Sequence, residues 1–183
     1  DLEKAEKIKK DLQKKEKTIM QQIKKETGVD VQIFAGTSIQ KAFDKLNIPY
    51  ERTATGKPKF DKNFLLTHKH PVPKMIVDAR ETNKARTTFI DTILRHSHKG
   101  RIHANINQMR SDEGGGTVTG RFSYSNPNLQ QVPARNKEIG PLIRSVFIPN
   151  EGCTWGSFDY SQQEPRVLVH YAALTGGGLK GAN

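Results

Sequence analysis

Apolar residues recur at helical spacing through the first 26 residues of the chain, and Lys and Glu fill most positions between them. This pattern predicts a long helix with one apolar face, which Gly28 ends. The stripe breaks at Lys15 and Glu16, which favours packing against one neighbouring helix over an extended coiled coil. The apolar positions of the stripe are Leu2, Ala5, Ile8, Leu12, Ile19 and Ile23.

Three more helices are predicted in the first half of the chain. Thr37–Gln40 has the spacing of a capping box and marks the start of a short helix. After a turn over 55–58, Asp61 is placed to cap another helix, and Pro73 lies in the first turn of a helix that runs to about Leu94. The buried face of the first of these helices is predicted to comprise Ile39, Ala42, Phe43 and Leu46.

The pattern changes at Arg101, because apolar and polar residues alternate with strand period over 101–107. We therefore expect a domain boundary here, with a helical region over residues 1–99 and a second region over residues 100–183. The stretch 122–133 is rich in Ser, Asn, Pro and Gln. It is predicted to be neither a regular helix nor a central strand, but an ordered loop or a linker.

One more strand and one more helix are predicted near the end of the chain. The apolar residues of 153–158 indicate a strand, and those of 166–174 indicate a helix with an apolar face. Asp159 then lies at the junction between the strand and the helix. A helical first half followed by short strands indicates the α+β fold class.

The chain is basic, and its positive charge is unevenly distributed. Thirty Lys and Arg residues oppose 19 Asp and Glu residues, which gives a formal net charge of +11 at pH 7. Residues 57–101 hold eleven of the basic residues against four acidic ones. The expected partner is a polyanion such as nucleic acid, since phosphate neutralisation releases counterions whatever the base sequence. The alternative is a solvated, lysine-rich helix face.

Cysteine content and hydropathy bear on the cellular compartment. The single cysteine, Cys153, excludes an intramolecular disulfide and fits a reducing compartment. No apolar run approaches the ~20 residues of a membrane span, and no charged-then-apolar leader opens the chain. We therefore expect no membrane partner and a cytoplasmic location.

Asp159 is the residue whose predicted position suggests chemistry. A carboxylate at the carboxyl end of a strand is held rigidly and can point into a cleft. Mg²⁺ takes oxygen ligands and keeps waters and substrate phosphates, so one or two carboxylates complete its site. The alternative is that Asp159 caps the following helix.

Three ordered segments of the chain match a known pattern: Thr119–Ser123, Asn126–Arg135 and Asp159–Arg166. They resemble the palm of family A DNA polymerases, the bacterial polymerase I type, and their wording, with Gln163 and Pro165 inside the third, looks most like bacteriophage members. A weaker likeness extends back through 100–103 and the helical half, so that it covers nearly the whole chain. The resemblance implies a helical thumb over residues 1–99, followed by the N-terminal half of an antiparallel-sheet palm over residues 100–183.

The resemblance implies roles for three residues of the third segment. The position of Asp159 is that of one of two palm aspartates that bind a catalytic Mg²⁺ pair, and the backbone carbonyl of Tyr160 joins the coordination. Two metals stabilise the attacking and leaving oxygens of an in-line displacement. Glu164 matches a steric gate that occupies the space of a ribose 2′ hydroxyl, which predicts selectivity for deoxynucleotides. A glutamate at a helix start also faces the positive end of the helix dipole, and both interpretations are compatible.

The resemblance also implies DNA and nucleotide contacts. An amide or arginine in the minor groove can test base-pair geometry without preferring one sequence. Arg135 matches a basic position near the nucleotide, with a plain surface arginine as the alternative. Arg80 and Lys84 match a thumb helix, where i, i+4 spacing places both on one face, and the alternative is a solvated stripe. The positions that match contacts to the minor groove and backbone of the primer-template are Arg121, Asn128, Gln130 and Gln131.

Two histidine pairs at i, i+2 spacing do not indicate a zinc site, because structural zinc sites commonly include cysteines and Cys153 is distant in sequence. We expect these histidines to be exposed to solvent. The pairs are His68 with His70 and His96 with His98.

The segments with polymerase resemblance make up only part of a family A enzyme. The fingers helix and the second palm aspartate are missing, so we expect a fragment that is inactive alone and is completed by a C-terminal polymerase segment. The stretch 109–116 looks inserted relative to the family. The expected activity is DNA-directed DNA synthesis on primer-template DNA from deoxynucleoside triphosphates, in the cytoplasm of a bacterial host if the chain is phage-encoded. The alternatives are a non-catalytic basic DNA-binding module and a relative of single-subunit RNA polymerases.

Overall fold

The computed structural model of the chain describes residues 1–110, 112, 115–134 and 136–174. Within them, the chain divides into one unit over Asp1–Ile148 and another that begins at Pro149. The helices are α1 (Leu2–Thr27), α2 (Gly36–Lys45), α3 (Lys62–Thr67), α4 (Pro71–Lys84), a π-helical turn (Ala85–Ile90), α5 (Asp91–Arg95), a 3₁₀ turn (Leu129–Gln131), α6 (Ile139–Arg144) and α7 (Gln163–Leu174). The strands are β1 (Glu51–Arg52), β2 (Pro58–Lys59), β3 (Ser97–His98), β4 (Arg101–Ile102), β5 (Asn105–Asn107) and β6 (Ser123–Ser125).

Helix α1 has the predicted extent and ends. The Asp1 carboxylate accepts a hydrogen bond from the Lys4 amide at 2.9 Å and so caps the first turn. Gly28 ends the helix with φ of 64°, a left-handed conformation that costs glycine little. Both signals are local, which is why the sequence predicts them correctly.

The apolar stripe of α1 enters two separate cores of the first unit, and it packs along the helical stretch 71–95. The polar break lies between the cores, where the Glu16 carboxylate accepts a hydrogen bond from Asn83 Nδ2 at 2.7 Å and pairs with Arg86 Nη2 at 3.1 Å. The first core includes Ile23, Ile39, Phe43, Leu65 and Ile76. The second includes Ala5, Ile8, Leu12, Ile90 and Ile143.

The capping box predicted at Thr37–Gln40 is wrong. Helix α2 begins at Gly36, and its N-cap residue Ala35 makes no side-chain capping bond. Ser38 Oγ instead accepts a hydrogen bond from the Gln32 amide at 2.9 Å, across the turn that precedes the helix. The predicted apolar face is confirmed, because Ile39, Ala42 and Phe43 are buried and Leu46 packs against the same core.

The other helix signals are confirmed, with one addition. Asp61 caps α3 by accepting a hydrogen bond from the Phe64 amide at 2.8 Å. This bond, together with Lys59, lowers the pKa of the Asp61 carboxyl. The helix around Pro73 begins at Pro71 and continues to Arg95, but a π-helical turn over Ala85–Ile90 interrupts it. The sequence did not predict that turn.

In the described ranges, the strands form three antiparallel pairs, β1 with β2, β3 with β4 and β5 with β6. The predicted strand over 101–107 is divided, because β4 pairs back to β3 whereas β5 pairs forward with β6. Strand β6 lies within the stretch 122–133, where only irregular structure was predicted. Helices with small antiparallel sheets confirm the α+β fold class. The predicted division at residues 99 and 100 stays a prediction.

The second unit contains the predicted helix but no strand within its described residues. Helix α7 spans Gln163–Leu174 and begins three residues earlier than predicted. The strand predicted over 153–158 is wrong, because no described segment pairs with it and a strand needs a hydrogen-bonded neighbour. In the described part of the chain, no helix is both long and apolar enough to cross a membrane.

The expectation of exposed histidines is wrong for three of the four. His70 Nδ1 accepts a hydrogen bond from the Val72 amide at 3.2 Å and caps α4. His96 Nδ1 lies 2.9 Å from the Thr92 carbonyl. His68 packs edge-on against Phe64, with ring centroids 4.7 Å apart, and its Nε2 atom is buried without a partner among the described residues. Each of these three histidines is held by tertiary or capping contacts that spacing alone does not reveal.

We expect His68→Phe to raise the free energy of unfolding by about 1 kcal/mol. The substitution removes an unsatisfied buried nitrogen and keeps the ring contacts with Phe64 and Phe43. Urea denaturation at neutral pH measures the change. His103→Phe, at an exposed position, is the matched control and should leave stability nearly unchanged. Lower stability of the first variant than of the control would contradict this account of the cluster.

Candidate functional site

Asp159 lies in an exposed stretch of the second unit that has no regular secondary structure, and one residue separates it from the turn that leads into α7. Helix α7 begins at Gln163, so Asp159 is too far upstream to be its N-cap residue. The Arg166 guanidinium holds the turn, since its Nε donates to the Ser161 carbonyl at 3.0 Å. Among the residues that the structure describes, none donates a hydrogen bond to the Asp159 carboxylate. This carboxylate is therefore accessible for ligands from solvent.

The residues around Asp159 fit part of a Mg²⁺ site. Mg²⁺ prefers oxygen ligands and retains waters or substrate phosphates, so a site needs only one or two carboxylates. An accessible Asp159 carboxylate and the adjacent Tyr160 backbone carbonyl are donors of this kind. In the described ranges no three His, Cys, Asp or Glu side chains cluster to form an all-protein metal site. A metal ion bound at Asp159 would therefore need further oxygen donors.

Glu164 lies in the first turn of α7, where a negative charge is favourable next to the helix N-terminus. It lines an open groove of about 500 Å³, whose other walls include Val167, Leu168 and Tyr171. Gln163 also lines this groove, so polar residues at the start of α7 lie beside an apolar surface along the helix. A side chain in this position can limit the size and polarity of a neighbouring group.

The residues predicted to meet the minor groove lie in the first unit, around β6 and the 3₁₀ turn. Asn128 Oδ1 accepts a hydrogen bond from the Gln130 amide at 3.1 Å, and Gln130 Nε2 donates to the Phe122 carbonyl at 2.9 Å. The structure therefore brings Asn128 and Gln130 together in one network. The exposed members of the predicted set are Arg121, Asn128, Gln130 and Gln131.

Arg80 and Lys84 lie on the same helix but have different environments. Arg80 is half-buried, and its Nε and Nη1 atoms donate to the carbonyls of Ile33 and Phe60, both at 2.7 Å. Burial lowers the pKa of the Arg80 guanidinium. Lys84 is exposed. The two cations are therefore not equivalent, because Arg80 already ties α4 to two loops.

Two predicted features fall wholly or partly outside the described residues. Arg135 lies outside the described residues. The stretch 109–116, which looked inserted, is described only in part.

One contact of this region was missed at the sequence level. Asn136 Nδ2 donates a hydrogen bond to Glu81 Oε2 on α4 at 3.1 Å. The two residues are 55 positions apart, and neither belongs to a recognisable motif. No local pattern could have indicated this pair.

Comparison with known proteins gives one consistent family. The sequence profile of DNA polymerase family A matches residues 2–175. A DNA-directed DNA polymerase of Pseudomonas phage M6 is 44% identical over 142 residues, which are 74% of this chain and 21% of that protein. The thermostable DNA polymerase I of Thermus aquaticus is 40% identical over 134 residues, which are 70% of this chain and 15% of that protein.

A solved structure has the same fold as the chain. It is described as the POL domain of Pol1 from M. smegmatis in complex with DNA primer-template and dNTP. The similarity has a TM-score of 0.75 and 27% sequence identity, and it covers 96% of this chain and 32% of that one. The chain thus spans about a fifth of the length of its phage relative.

Proposed function

Because the chain belongs to DNA polymerase family A, we propose that it forms the thumb and the first half of the palm of an enzyme that extends a DNA primer on a template. Residues 1–99 are the thumb-like region and residues 100–183 the palm region in this proposal. The accessible Asp159 carboxylate before α7 is the observation that carries it. The phage relative supports an origin in a phage, with the cytoplasm of an infected bacterium as the place of action.

In the proposed mechanism, the residues of this chain bind and orient the reactants. Mg²⁺, held by the Asp159 carboxylate and the Tyr160 carbonyl, would supply charge stabilisation for the transfer of a nucleotide to the primer. Glu164 would exclude a ribose 2′ hydroxyl from the nucleotide site, to which we also assign Arg135. The side chains proposed to hold the primer-template near its end are Arg121, Asn128, Gln130 and Gln131.

The chain alone is proposed to be inactive. It spans about a fifth of its phage relative, and its described residues contain no cluster of three side chains able to hold the metal ions of a two-metal reaction. A segment carrying the fingers and the rest of the palm would complete the site. Mixing the chain with such a segment should produce primer extension that neither piece shows alone. Failure of every complementing segment to restore synthesis would favour a DNA-binding module without catalysis.

We expect Lys84→Gln to weaken primer-template binding. The slope of the logarithm of the binding constant against the logarithm of the salt concentration should become shallower by about 0.9, the change for one lost phosphate contact. Arg80→Gln should change this slope less, because two guanidinium nitrogens already bind backbone carbonyls. It should instead lower the free energy of unfolding by about 2 kcal/mol. Fluorescence anisotropy across a salt series and urea denaturation measure the two effects.

The contrast between these two variants tests the assignment of the helix α4 cations. A larger change of salt slope for Arg80→Gln than for Lys84→Gln would show that the half-buried Arg80, and not the exposed Lys84, contacts phosphate. Lys41→Gln on α2 is the control for loss of one exposed positive charge.

A further inference from the structure

The loop over 126–134, which carries Asn128, Gln130 and Gln131, is held in place at both of its ends. At the first end, β6 pairs with β5, and Asn105 faces Ser125 in the register. Asn107 Nδ2 lies 3.4 Å from Ser123 Oγ and 3.3 Å from Ser125 Oγ, which adds side-chain bonds to the pair. The entry of the chain into the loop is thereby fixed.

At the second end, one amide side chain makes two kinds of contact. Asn136 Oδ1 accepts hydrogen bonds from the amides of Glu138 at 2.9 Å and Ile139 at 2.8 Å, next to the start of α6. Its Nδ2 group donates to Glu81 Oε2 on α4 at 3.1 Å. Asn136 therefore connects the end of the loop to both helices.

Glu81 is shared between two neighbours. Its other oxygen, Oε1, forms an ion pair with Lys62 of α3. The Glu81 side chain is 31% exposed, so the pair with Lys62 is only partly shielded from water. Glu81 thus joins α3, α4 and the end of the loop through one carboxylate.

Helix α6 adds two contacts to the same end of the loop. Arg144 Nε donates to the Pro133 carbonyl at 3.1 Å. Gly140 lies close to the backbone of the loop end. A Cβ atom at this position would be 3.3 Å from the Pro133 carbonyl oxygen and 3.4 Å from the Ala134 carbonyl oxygen. The buried Ile143 anchors α6 in the second core. The loop end is therefore fixed against both α4 and α6.

Glu81 lies on α4 only three residues before Lys84, the proposed phosphate contact. The link through Asn136 therefore sets the distance between that cation and the exposed amides of the loop. A contact in the minor groove and a contact on the phosphate backbone must be made at the same time by one duplex. A displacement of about 1 Å is enough to weaken such a pre-organised set of contacts.

We infer that Asn136 and Glu81 are positioning residues for primer-template binding. Through their hydrogen bond they hold the loop that carries Asn128, Gln130 and Gln131 in register with α4. This inference rests on the proposed function, because it assigns a duplex to that surface. The two side chains act through the loop, and no contact with DNA is assigned to them.

Asn136→Asp separates this link from the capping of α6. The new carboxylate still accepts the two amide hydrogen bonds, but it repels the Glu81 carboxylate that it faces. We expect primer-template affinity to fall about 5–10-fold and amide hydrogen exchange over 128–132 to become faster. Exchange in α1 should not change. Anisotropy with a labelled primer-template at fixed salt and exchange mass spectrometry of the whole chain measure these effects.

A second substitution should rescue the first. In the double variant Asn136→Asp with Glu81→Gln, the amide at position 81 donates to the carboxylate at position 136, which restores the link with its direction reversed. Affinity and exchange should then return to within about twofold of the wild-type values. Asn63→Asp, at an exposed position of α3, adds the same negative charge without touching the link and should lower affinity less than twofold.

The outcomes separate this inference from the proposed function. A wild-type chain that binds no primer-template contradicts the proposed function and the inference with it. Wild-type binding that Asn136→Asp leaves unchanged, or that the second substitution fails to restore, contradicts the inference alone. A loss as large in Asn63→Asp as in Asn136→Asp would assign the effect to net charge and overturn the inference as well.

Discussion

Primer extension should fall by about 10²–10³-fold or more when Asp159 is replaced by Ala in the polymerase formed by this chain and its complementing segment. A loss of this size is typical when one electrostatic stabiliser is removed from an active site. Asp159 is the carboxylate that we assign to the metal between the primer end and the arriving triphosphate. Without it, the developing charge of the phosphoryl transfer loses part of its stabilisation. Single-turnover extension of a labelled primer at saturating nucleotide measures the rate of the chemical step.

The size of this effect must be separated from losses of folding or DNA binding. Asp159 is exposed and makes no hydrogen bond to the described residues, so its replacement should leave stability and primer-template affinity nearly unchanged. Asp44→Ala, which removes an exposed carboxylate from α2, is the matched control and should extend primers at the wild-type rate. An Asp159→Ala enzyme that extends within about threefold of the wild type would exclude Asp159 as a metal ligand.

The second large effect concerns the choice of sugar. We expect Glu164→Ala to raise the incorporation of ribonucleotides relative to deoxynucleotides by about 10–10²-fold. Admitting or rejecting one small group in a binding pocket changes the selectivity of an enzyme by about this factor. The side chain at the start of α7 would otherwise occupy the space of the 2′ hydroxyl. The ratio of kcat/KM for the two kinds of nucleotide measures the change in the complemented enzyme.

Two controls make the test of Glu164 specific. Glu151→Ala removes an exposed carboxylate from the same unit and should leave the ratio unchanged. The rate with deoxynucleotides should fall much less in Glu164→Ala than in Asp159→Ala, since Glu164 excludes a group and is not assigned to the metal. A wild-type enzyme that prefers ribonucleotides would instead support the alternative of a single-subunit RNA polymerase relative.

The chemistry proposed for the candidate site rests on the sequence, because its motifs are contiguous there. Asp159, Tyr160 and Glu164 lie within one short segment, and family resemblance assigns their roles without knowledge of the fold. The structure adds that the Asp159 carboxylate is exposed and lies upstream of the cap position of α7. A pattern of residue types does not specify where a side chain points, so that choice required coordinates.

The pair on α4 shows where prediction from spacing fails. The i, i+4 positions of Arg80 and Lys84 indicate a common helix face, but they do not show what packs against its edge. Carbonyl groups of the loops before α2 and before α3 meet the Arg80 guanidinium and leave Lys84 exposed. Loops remote in sequence thus determine which of two similar cations is available.

The sequence by itself determined those features that depend on neighbours within about one helical turn. The extent of α1, its stop at Gly28 and the cap of α3 at Asp61 all belong to this class. Such features arise from hydrogen bonds and apolar contacts between residues three or four positions apart, which any chain with this pattern makes in the same way.

Only the tertiary structure decided the features that depend on partners far along the chain. The bond between Glu81 and Asn136, the tie of Arg80 to Ile33 and the packing of His68 against Phe43 are of this kind. So are the two halves of the 101–107 stretch, which pair with different strands. A polar side chain has several possible partners of similar strength, and the packing of the cores selects one of them by bringing it within reach.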